Sequence, residues 1–339
     1  MAGVPKVNLP GGLEVCRILN GMWQVSGAHG KVDPERAVDE MMTYLDNGFT
    51  SFDMADIYGP AEALFAAFLR KLQKERGAPA VANVQGLTKW VPSPGPMTRK
   101  VVEGGVGRSL ERMGVDRLDC LQFHWWDYSD KRYLEALSHM AAMQKEGKIR
   151  ELSLTNFDTE RLKEITEKGI KISSNQVQYS IIDQRPGQKM AKFCMDNGIK
   201  LLTYGTICGG LLSEKYLGAT EPRGRVELNT ASLGKYKNMI DRWGGWQLFQ
   251  ELLRVLDGIA KLHGVSIANV ATRYVLDQPA VAGVIIGTRL GVPGAQHIQD
   301  NLRTFCLQLT QDDREKIAAV CAKSRNLMDV IGDCGDEYR

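Results

Sequence analysis

Apolar residues recur along the chain with two alternating spacings. Short runs rich in β-branched and aromatic residues are separated by segments in which apolar residues recur every three or four positions, the period of an amphipathic helix. Residues 33–47 are typical of the helical segments. The short runs predict eight strands, at residues 17–25, 49–55, 81–89, 118–125, 150–156, 174–180, 200–206 and 282–288. This regular alternation of strand and helix predicts parallel strands joined by right-handed crossovers.

Eight such units predict an α/β fold in which the strands close into a (β/α)8 TIM barrel. An open doubly wound sheet is the alternative, but no Gly-x-Gly-x-x-Gly loop follows the first strand. Residues 7–15 contain a Pro-Gly-Gly turn and predict a hairpin that plugs the barrel floor. After the seventh strand, residues 207–245 predict a long irregular loop, placed where a lid over the active face would be.

The 339-residue length allows two domains, but no repeat, low-complexity tract or linker divides the chain. We therefore expect one barrel domain over residues 1–339. At the C-terminus, residues 324–339 carry Asp329, Asp333, Asp336 and Glu337. This composition favours a loose, solvated terminus over a segment that folds across the pocket.

Composition and charge disfavour several classes of partner. The 43 Lys and Arg nearly balance the 40 Asp and Glu, for a formal charge of +3 without dense basic tracts, which disfavours nucleic-acid binding. No stretch approaches the about 20 apolar residues of a membrane span, and the N-terminus is unlike a signal peptide. The seven cysteines are scattered, which favours free thiols in the cytoplasm, with an organelle stroma as the alternative.

Residues at the carboxyl ends of three successive predicted strands are typical of proton-transfer chemistry. They are Asp53 with Tyr58, then Lys89, then His124. A tyrosine has an ordinary pKa of about 10, so it needs a nearby cation to act near neutral pH, and Lys89 would supply it. Asp53 would hold the ammonium, and His124 would orient a substrate carbonyl. One histidine and one aspartate are too few for a usual zinc site, so we predict no metal.

Tryptophans cluster near the same strand ends. We expect them to line the substrate pocket and exclude water from a transferring hydride. They are Trp23, Trp90, Trp125 and Trp126.

Several segments resemble motifs of the aldo-keto reductase superfamily. Residues 52–59, Phe-Asp-Met-Ala-Asp-Ile-Tyr-Gly, are similar to its Asp-x-Ala-x-x-Tyr-Gly signature. Residues 87–89 and 121–124 resemble its strand-end lysine and histidine segments. Residues 154–157 and 175–179 resemble the segments that hold the nicotinamide amide. The similarity extends from the hairpin to Asn301, nearly the whole chain.

The resemblance implies an NADPH-dependent enzyme that reduces a small aldehyde or ketone to an alcohol, with Tyr58 as proton donor. Arg289 favours NADPH over NADH, because a guanidinium binds a 2′-phosphate with two hydrogen bonds. The 290–296 loop is longer than usual, and Trp125-Trp126-Asp127 makes the expected pocket unusually aromatic. The implied cofactor contacts are Met22, Trp23, Asp53, Thr155, Asn156, Gln176, Tyr204, Gly205, Thr206, Gly287, Thr288, Arg289, His297 and Asn301.

Two other functions stay open at the level of sequence. One is a nucleotide-binding barrel that serves as a scaffold or sensor subunit and acts through a protein partner. The other is a barrel with lyase or isomerase chemistry, which the absence of an obvious glycine-rich phosphate loop after the seventh strand disfavours. The complete set of Asp53, Tyr58, Lys89 and His124 favours the reductase.

Overall fold

The computed structural model describes residues 3–27, 29–294 and 296–338. Within these residues, eight parallel strands pair in chain order and the last pairs with the first, which confirms the predicted (β/α)8 TIM barrel. The predicted strand at 81–89 begins only at Gln85, because a short helix precedes it. The strands are β1 Lys6–Asn8, β2 Glu14–Cys16, β3 Ile18–Gly21, β4 Ser51–Asp53, β5 Gln85–Trp90, β6 Leu118–Phe123, β7 Ile149–Thr155, β8 Ser174–Gln178, β9 Lys200–Tyr204 and β10 Val281–Gly287.

Helices surround the barrel. They are α1 Pro34–Asp46, α2 Ala61–Arg76, α3 Ala78–Ala82, α4 Arg99–Met113, α5 Arg132–Lys145, α6 Thr159–Glu167, α7 Arg185–Gln188, α8 Met190–Asp196, α9 Gly224–Glu227, α10 Ala231–Trp243, α11 Gly245–His263, α12 Ile267–Leu276, α13 Ile298–Arg303, α14 Gln311–Cys321 and α15 Leu327–Ile331. The helix predicted at 33–47 is α1. Its N-cap, Asp33, accepts hydrogen bonds from the backbone N–H groups of Glu35 and Arg36 in the first turn, which begins with Pro34. None of the helices in the described ranges is long and apolar enough to cross a bilayer.

The antiparallel hairpin β1–β2 closes the floor of the barrel, as predicted. Leu9, Leu13 and Val15 pack against apolar side chains of the barrel interior. The buried carboxylate of Glu151, on β7, accepts hydrogen bonds from the backbone nitrogens of Gly11 and Leu13 at 3.1 and 3.0 Å. A Cβ at Gly11 would collide with that carboxylate. The hairpin is therefore bound to the barrel by both apolar packing and a buried anion.

The connection after β9 is long, but it is not irregular as expected. It contains α9, α10 and two short 3-10 turns. Apolar residues of α10 face the protein at helical spacing, and Tyr236 packs onto Gly205 and Gly209, where a Cβ would collide with its ring. Within this connection, Gly209 is therefore a site at which α10 approaches the backbone.

The C-terminal segment folds across the carboxyl end of the barrel, so the expectation of a loose, solvated terminus is wrong through residue 338. Its anchor is Arg185, which is buried and pairs with Asp183 and with Glu337 of the tail. Asp333 accepts a hydrogen bond from the backbone nitrogen of Thr159 at 3.0 Å. Composition alone suggests that the acidic residues of this segment are solvated, because the residues that they contact lie far away along the chain.

Candidate active site

A buried ion pair lies at the carboxyl ends of β4 and β5. The Lys89 ammonium nitrogen donates to Asp53 Oδ2 at 2.6 Å and to the Met54 carbonyl oxygen at 3.0 Å. The two side chains are only 5% and 3% exposed. Burial by itself lowers the pKa of Lys89, but the charge of Asp53 and the hydrogen bonds to Asp53 and Tyr58 raise it above its usual value. Lys89 therefore stays an ammonium at neutral pH.

Tyr58 lies in the turn between β4 and α2, beside this ion pair. The Lys89 nitrogen is 5.0 Å from the centroid of its ring, and the Trp23 ring packs edge-on against it at 5.0 Å. Burial raises the pKa of the Tyr58 hydroxyl, and the charge of Lys89 lowers it. Lys89 lowers the pKa of Tyr58, as predicted. Burial has the larger effect, so the pKa of Tyr58 is raised overall. Tyr58 is consequently protonated at neutral pH.

His124 follows β6 and lies at the same end of the barrel. Its Nδ1 lies 3.3 Å from the Thr155 carbonyl oxygen. The Trp126 ring packs against the imidazole at a centroid distance of 4.4 Å, nearly perpendicular to it. These two contacts set the orientation of the imidazole ring.

Two amides hold the other oxygen of Asp53. Gln122 Nε2 and Gln176 Nε2 each donate to Asp53 Oδ1 at 2.8 Å, and Gln176 Nε2 also donates to Gln122 Oε1 at 2.6 Å. The sequence prediction included Gln176 but missed Gln122. The available signal was strand alternation, since Gln122 is two residues before His124 and faces the same side of β6.

Comparisons with known proteins identify the family of this chain. Residues 17–322 match the sequence model of the Aldo/keto reductase family. The chain belongs to the aldo-keto reductase family. It is 32% identical over 259 residues to flagellar radial spoke protein 5 of Chlamydomonas reinhardtii, covering 66% of this chain and about half, 49%, of that relative. It is 25% identical to a chloroplastic pyridoxal reductase of Arabidopsis thaliana, covering 84% of this chain and 76% of the relative. A solved glycerol dehydrogenase from Gluconobacter oxydans has the same fold, with a TM-score of 0.76 at 21% identity over 94% of this chain and 95% of that one.

The four tryptophans do not all lie beside the candidate active site. Trp23 and Trp126 contact Tyr58 and His124 as described above, but the expectation for Trp90 is wrong. Trp125 lines a small cavity together with Trp126. Trp90 packs between the barrel and α4, where a Cβ on Gly105 would collide with its indole. The rings of Trp90 and Trp125 both pack against Phe123, at centroid distances of 5.6 and 5.9 Å. Neighbours along a strand point to opposite faces, so the inward Lys89 directs Trp90 outward.

The C-terminal segment adds an aromatic wall that the sequence prediction missed. The Tyr338 ring lies 6.4 Å from the His124 ring, and its hydroxyl is 3.1 Å from the Tyr204 hydroxyl. Lys235, on α10, hydrogen-bonds the Tyr338 hydroxyl and lies over its ring at 4.2 Å. No local sequence signal indicates these contacts, because they depend on the Arg185 anchor described above.

Several predicted nicotinamide contacts lie together at the ends of β7, β8 and β9. Asn156 Oδ1 accepts a hydrogen bond from the Tyr204 hydroxyl at 2.7 Å, and its backbone nitrogen donates to the Gln176 carbonyl at 2.8 Å. Thr155 Oγ1 is 3.3 Å from the same carbonyl. Asn156 has a φ of 60°, in the left-handed region that asparagine tolerates better than most residues. Thr155, Asn156, Gln176 and Tyr204 thus lie together at one corner of the barrel mouth.

The other predicted cofactor contacts lie around β10 and the end of β3. The backbone nitrogen of Met22 donates to the Asp53 carbonyl oxygen, and that of Thr288 donates to the Gly21 carbonyl oxygen, both at 2.8 Å. The Arg289 side chain is exposed. Gly205 and Thr206 follow β9, and His297 and Asn301 lie at the start of α13. Ala295, in the loop expected to be long, is outside the described residues.

The barrel mouth fits a nicotinamide dinucleotide. Thr206 Oγ1 and Gln24 Oε1 are buried there, and neither has a hydrogen-bond partner among the described residues. Unpaired buried polar atoms are costly, and a polar ligand with both donors and acceptors would satisfy them. A Cβ at Gly287 would collide with the Gln24 side chain, so glycine at this position lets the Gln24 amide lie against the end of β10.

Proposed function

We propose that this protein reduces aldehydes or ketones to alcohols with NADPH. The observation that carries the proposal is the buried Asp53–Lys89 pair, joined at 2.6 Å, directly beside Tyr58 and at the same barrel end as His124. When bound, the dinucleotide supplies hydride chemistry to the carbonyl carbon. The protein's part is then to supply a proton to the carbonyl oxygen and to keep water out.

In this proposal Tyr58 donates that proton, because its raised pKa keeps it protonated at neutral pH. The phenolate that remains lies beside the Lys89 ammonium, whose charge stabilises it. Asp53 holds the ammonium in place, and His124 orients the carbonyl oxygen. Trp23, Trp126 and Tyr338 border the site and exclude water.

The test of this function is NADPH oxidation with a panel of aldehydes and ketones of different size and charge. We expect turnover with at least one aromatic or short aliphatic carbonyl, detected as loss of NADPH absorbance and as formation of the alcohol. Tight NADPH binding without turnover on the whole panel would contradict the proposal.

Preference for NADPH over NADH is expected to depend on Arg289. The side chain is exposed, and its Nη2 donates a hydrogen bond to the backbone carbonyl oxygen of His29 at 3.5 Å. It is thus available to bind a 2′-phosphate. We expect Arg289→Gln to weaken NADPH binding by about 10- to 100-fold, the range for losing hydrogen bonds to a charged group, with little change for NADH. Fluorescence titration with both dinucleotides measures this.

The matched control is Arg254→Gln, which alters an exposed arginine on α11. It should leave both dissociation constants unchanged. Equal loss of NADPH and NADH affinity in Arg289→Gln, or no loss of either, would contradict a role for Arg289 in 2′-phosphate binding.

A second candidate function is a nucleotide-binding barrel that acts through a protein partner. The observation that favours it is the 32% identity to a protein named as a flagellar radial spoke protein. The same panel separates the two candidates, because this function predicts NADPH binding, no turnover and a stable complex with another protein.

A further inference from the structure

Gln122 is a buried polar side chain to which the proposed mechanism assigns no role. It lies on β6, directly opposite Lys89 of β5 in the strand register, and is fully buried. A buried amide is costly unless its hydrogen bonds are made. Its Nε2 donates to Asp53 Oδ1 at 2.8 Å and its Oε1 accepts from Gln176 Nε2 at 2.6 Å. Gln122 therefore links one predicted cofactor contact to one member of the predicted catalytic set.

The two amides determine how the Asp53 carboxylate is oriented. A carboxylate free to rotate could exchange its two oxygens, but here Oδ1 is held by Gln122 and Gln176, so Oδ2 faces Lys89. The ammonium has three N–H donors. One goes to Asp53 Oδ2 and one to the Met54 carbonyl, which leaves the third for the Tyr58 hydroxyl.

The hydrogen bonds among Asp53, Gln122 and Gln176 also limit how Gln176 can bind a cofactor. Its amide nitrogen has two hydrogens, and both are directed within the protein, to Asp53 Oδ1 and to Gln122 Oε1. Gln176 can then offer a nicotinamide carboxamide only its Oε1, as an acceptor. The hydrogen bond to Gln122 Oε1 keeps the Gln176 amide in this orientation.

We propose that Gln122 is a positioning residue that couples the nicotinamide end of the cofactor, through Gln176, to the Asp53–Lys89–Tyr58 chain. This inference rests on the proposed reductase function. Gln122 touches neither substrate nor cofactor and acts through the orientation of Asp53 and Gln176. Without Gln122, the other residues of the site are still present, but Asp53 and Gln176 are less well oriented.

The test replaces Gln122 with Met, which has a similar length and cannot form either hydrogen bond. We expect kcat for carbonyl reduction to fall about tenfold, the effect of losing one hydrogen bond to a charged group, while the KM of the carbonyl stays within about twofold. With 4-deuterated NADPH, the isotope effect on kcat should rise, because misorientation slows the chemical step. These two readouts separate positioning from a general loss of folded protein.

Cofactor binding supplies a readout that does not require turnover. Gln122→Met should weaken NADPH binding severalfold, whereas adenosine 2′,5′-bisphosphate, which lacks nicotinamide, should bind as it does to the wild type. If the wild type binds NADPH but reduces no carbonyl, the proposed function fails, and this comparison still decides the role of Gln122 at the nicotinamide end.

The matched control is Gln85→Met. Gln85 is also a buried glutamine on a barrel strand, but its side chain bonds to Thr50, Ser51 and the Asn83 carbonyl instead of Asp53. It should leave kcat, the isotope effect and both binding constants unchanged. If Gln122→Met does not fold, Gln122→Asn, which keeps a shortened amide, is measured in the same way. Values for the Gln122 variant equal to those of Gln85→Met would overturn the proposal.

Discussion

Tyr58→Phe is expected to lower kcat for carbonyl reduction by about 10²- to 10⁴-fold, the contribution usual for general acid catalysis. The substitution removes only the hydroxyl, which is the proton donor in the proposed reaction, and keeps the ring that packs against Trp23. Binding of NADPH should stay within about twofold of the wild type. Steady-state kinetics and fluorescence titration of the same preparation measure both quantities.

The control for this variant is Tyr216→Phe, which removes the hydroxyl of another buried tyrosine, one that packs beside Trp246 and away from the strand ends. It should leave kcat unchanged. Turnover by Tyr58→Phe at the wild-type rate would exclude Tyr58 as the proton donor. A parallel loss of NADPH binding would instead show that Tyr58 acts by shaping the cofactor site.

Arg185→Met is expected to lower the free energy of unfolding by about 3 to 5 kcal/mol, because it leaves two carboxylates buried without their cation. Arg185 is 1% exposed, and its guanidinium donates two hydrogen bonds to Asp183, both at 2.8 Å, and one to Glu337 at 3.0 Å. A further hydrogen bond goes to the Asp333 carbonyl at 2.9 Å. Urea unfolding followed by tryptophan fluorescence measures the loss.

The same variant should release the C-terminal segment, since Arg185 joins it to the barrel through Glu337 and Asp333. Limited proteolysis is expected to remove residues after α15 from the variant well before it does so from the wild type. Combining Arg185→Met with Asp183→Asn and Glu337→Gln should recover part of the lost stability, because the unpaired charges cause most of the loss.

The control here is Lys192→Met, which breaks the Lys192–Asp196 pair on α8. This pair has a similar distance, 2.7 Å, but its side chains are 76% and 56% exposed. We expect a change of about 0 to 1 kcal/mol, as for most surface ion pairs. A loss in Arg185→Met no larger than that in Lys192→Met would contradict the buried-anchor interpretation of the tail.

Much of the fold was predictable because its determinants are periodic and local. The alternation of strand and helix patterns predicted the eight-stranded barrel, and the Pro-Gly-Gly turn predicted the hairpin on its floor. Residues at strand ends could also be predicted, since Asp53 and Lys89 lie at or next to the carboxyl end of a strand and therefore at a known face of the barrel. The structure brings Asp53, Tyr58 and Lys89 into contact there.

The incorrect or missing predictions concern the side of a strand to which a side chain points and the contacts between residues distant in sequence. Trp90 was assigned to the pocket by its position in the chain, but adjacent residues of a strand face opposite sides, and its ring packs against Phe123 instead. Gln122 was missed because a single polar residue in an apolar run has little meaning until its partner is known. Its partner, Asp53, lies 69 positions away in sequence.

The sequence by itself determined the barrel, the strand ends that carry Asp53, Tyr58, Lys89 and His124, and the family to which the chain belongs. These follow from short-range periodicity and from motifs within a few residues of each other. Only the tertiary structure decided which oxygen of Asp53 faces Lys89, that burial outweighs the ammonium in setting the pKa of Tyr58, and that Tyr338 lies beside His124. Each of these three features depends on burial and on contacts between residues distant in sequence, and such contacts form only when the chain folds.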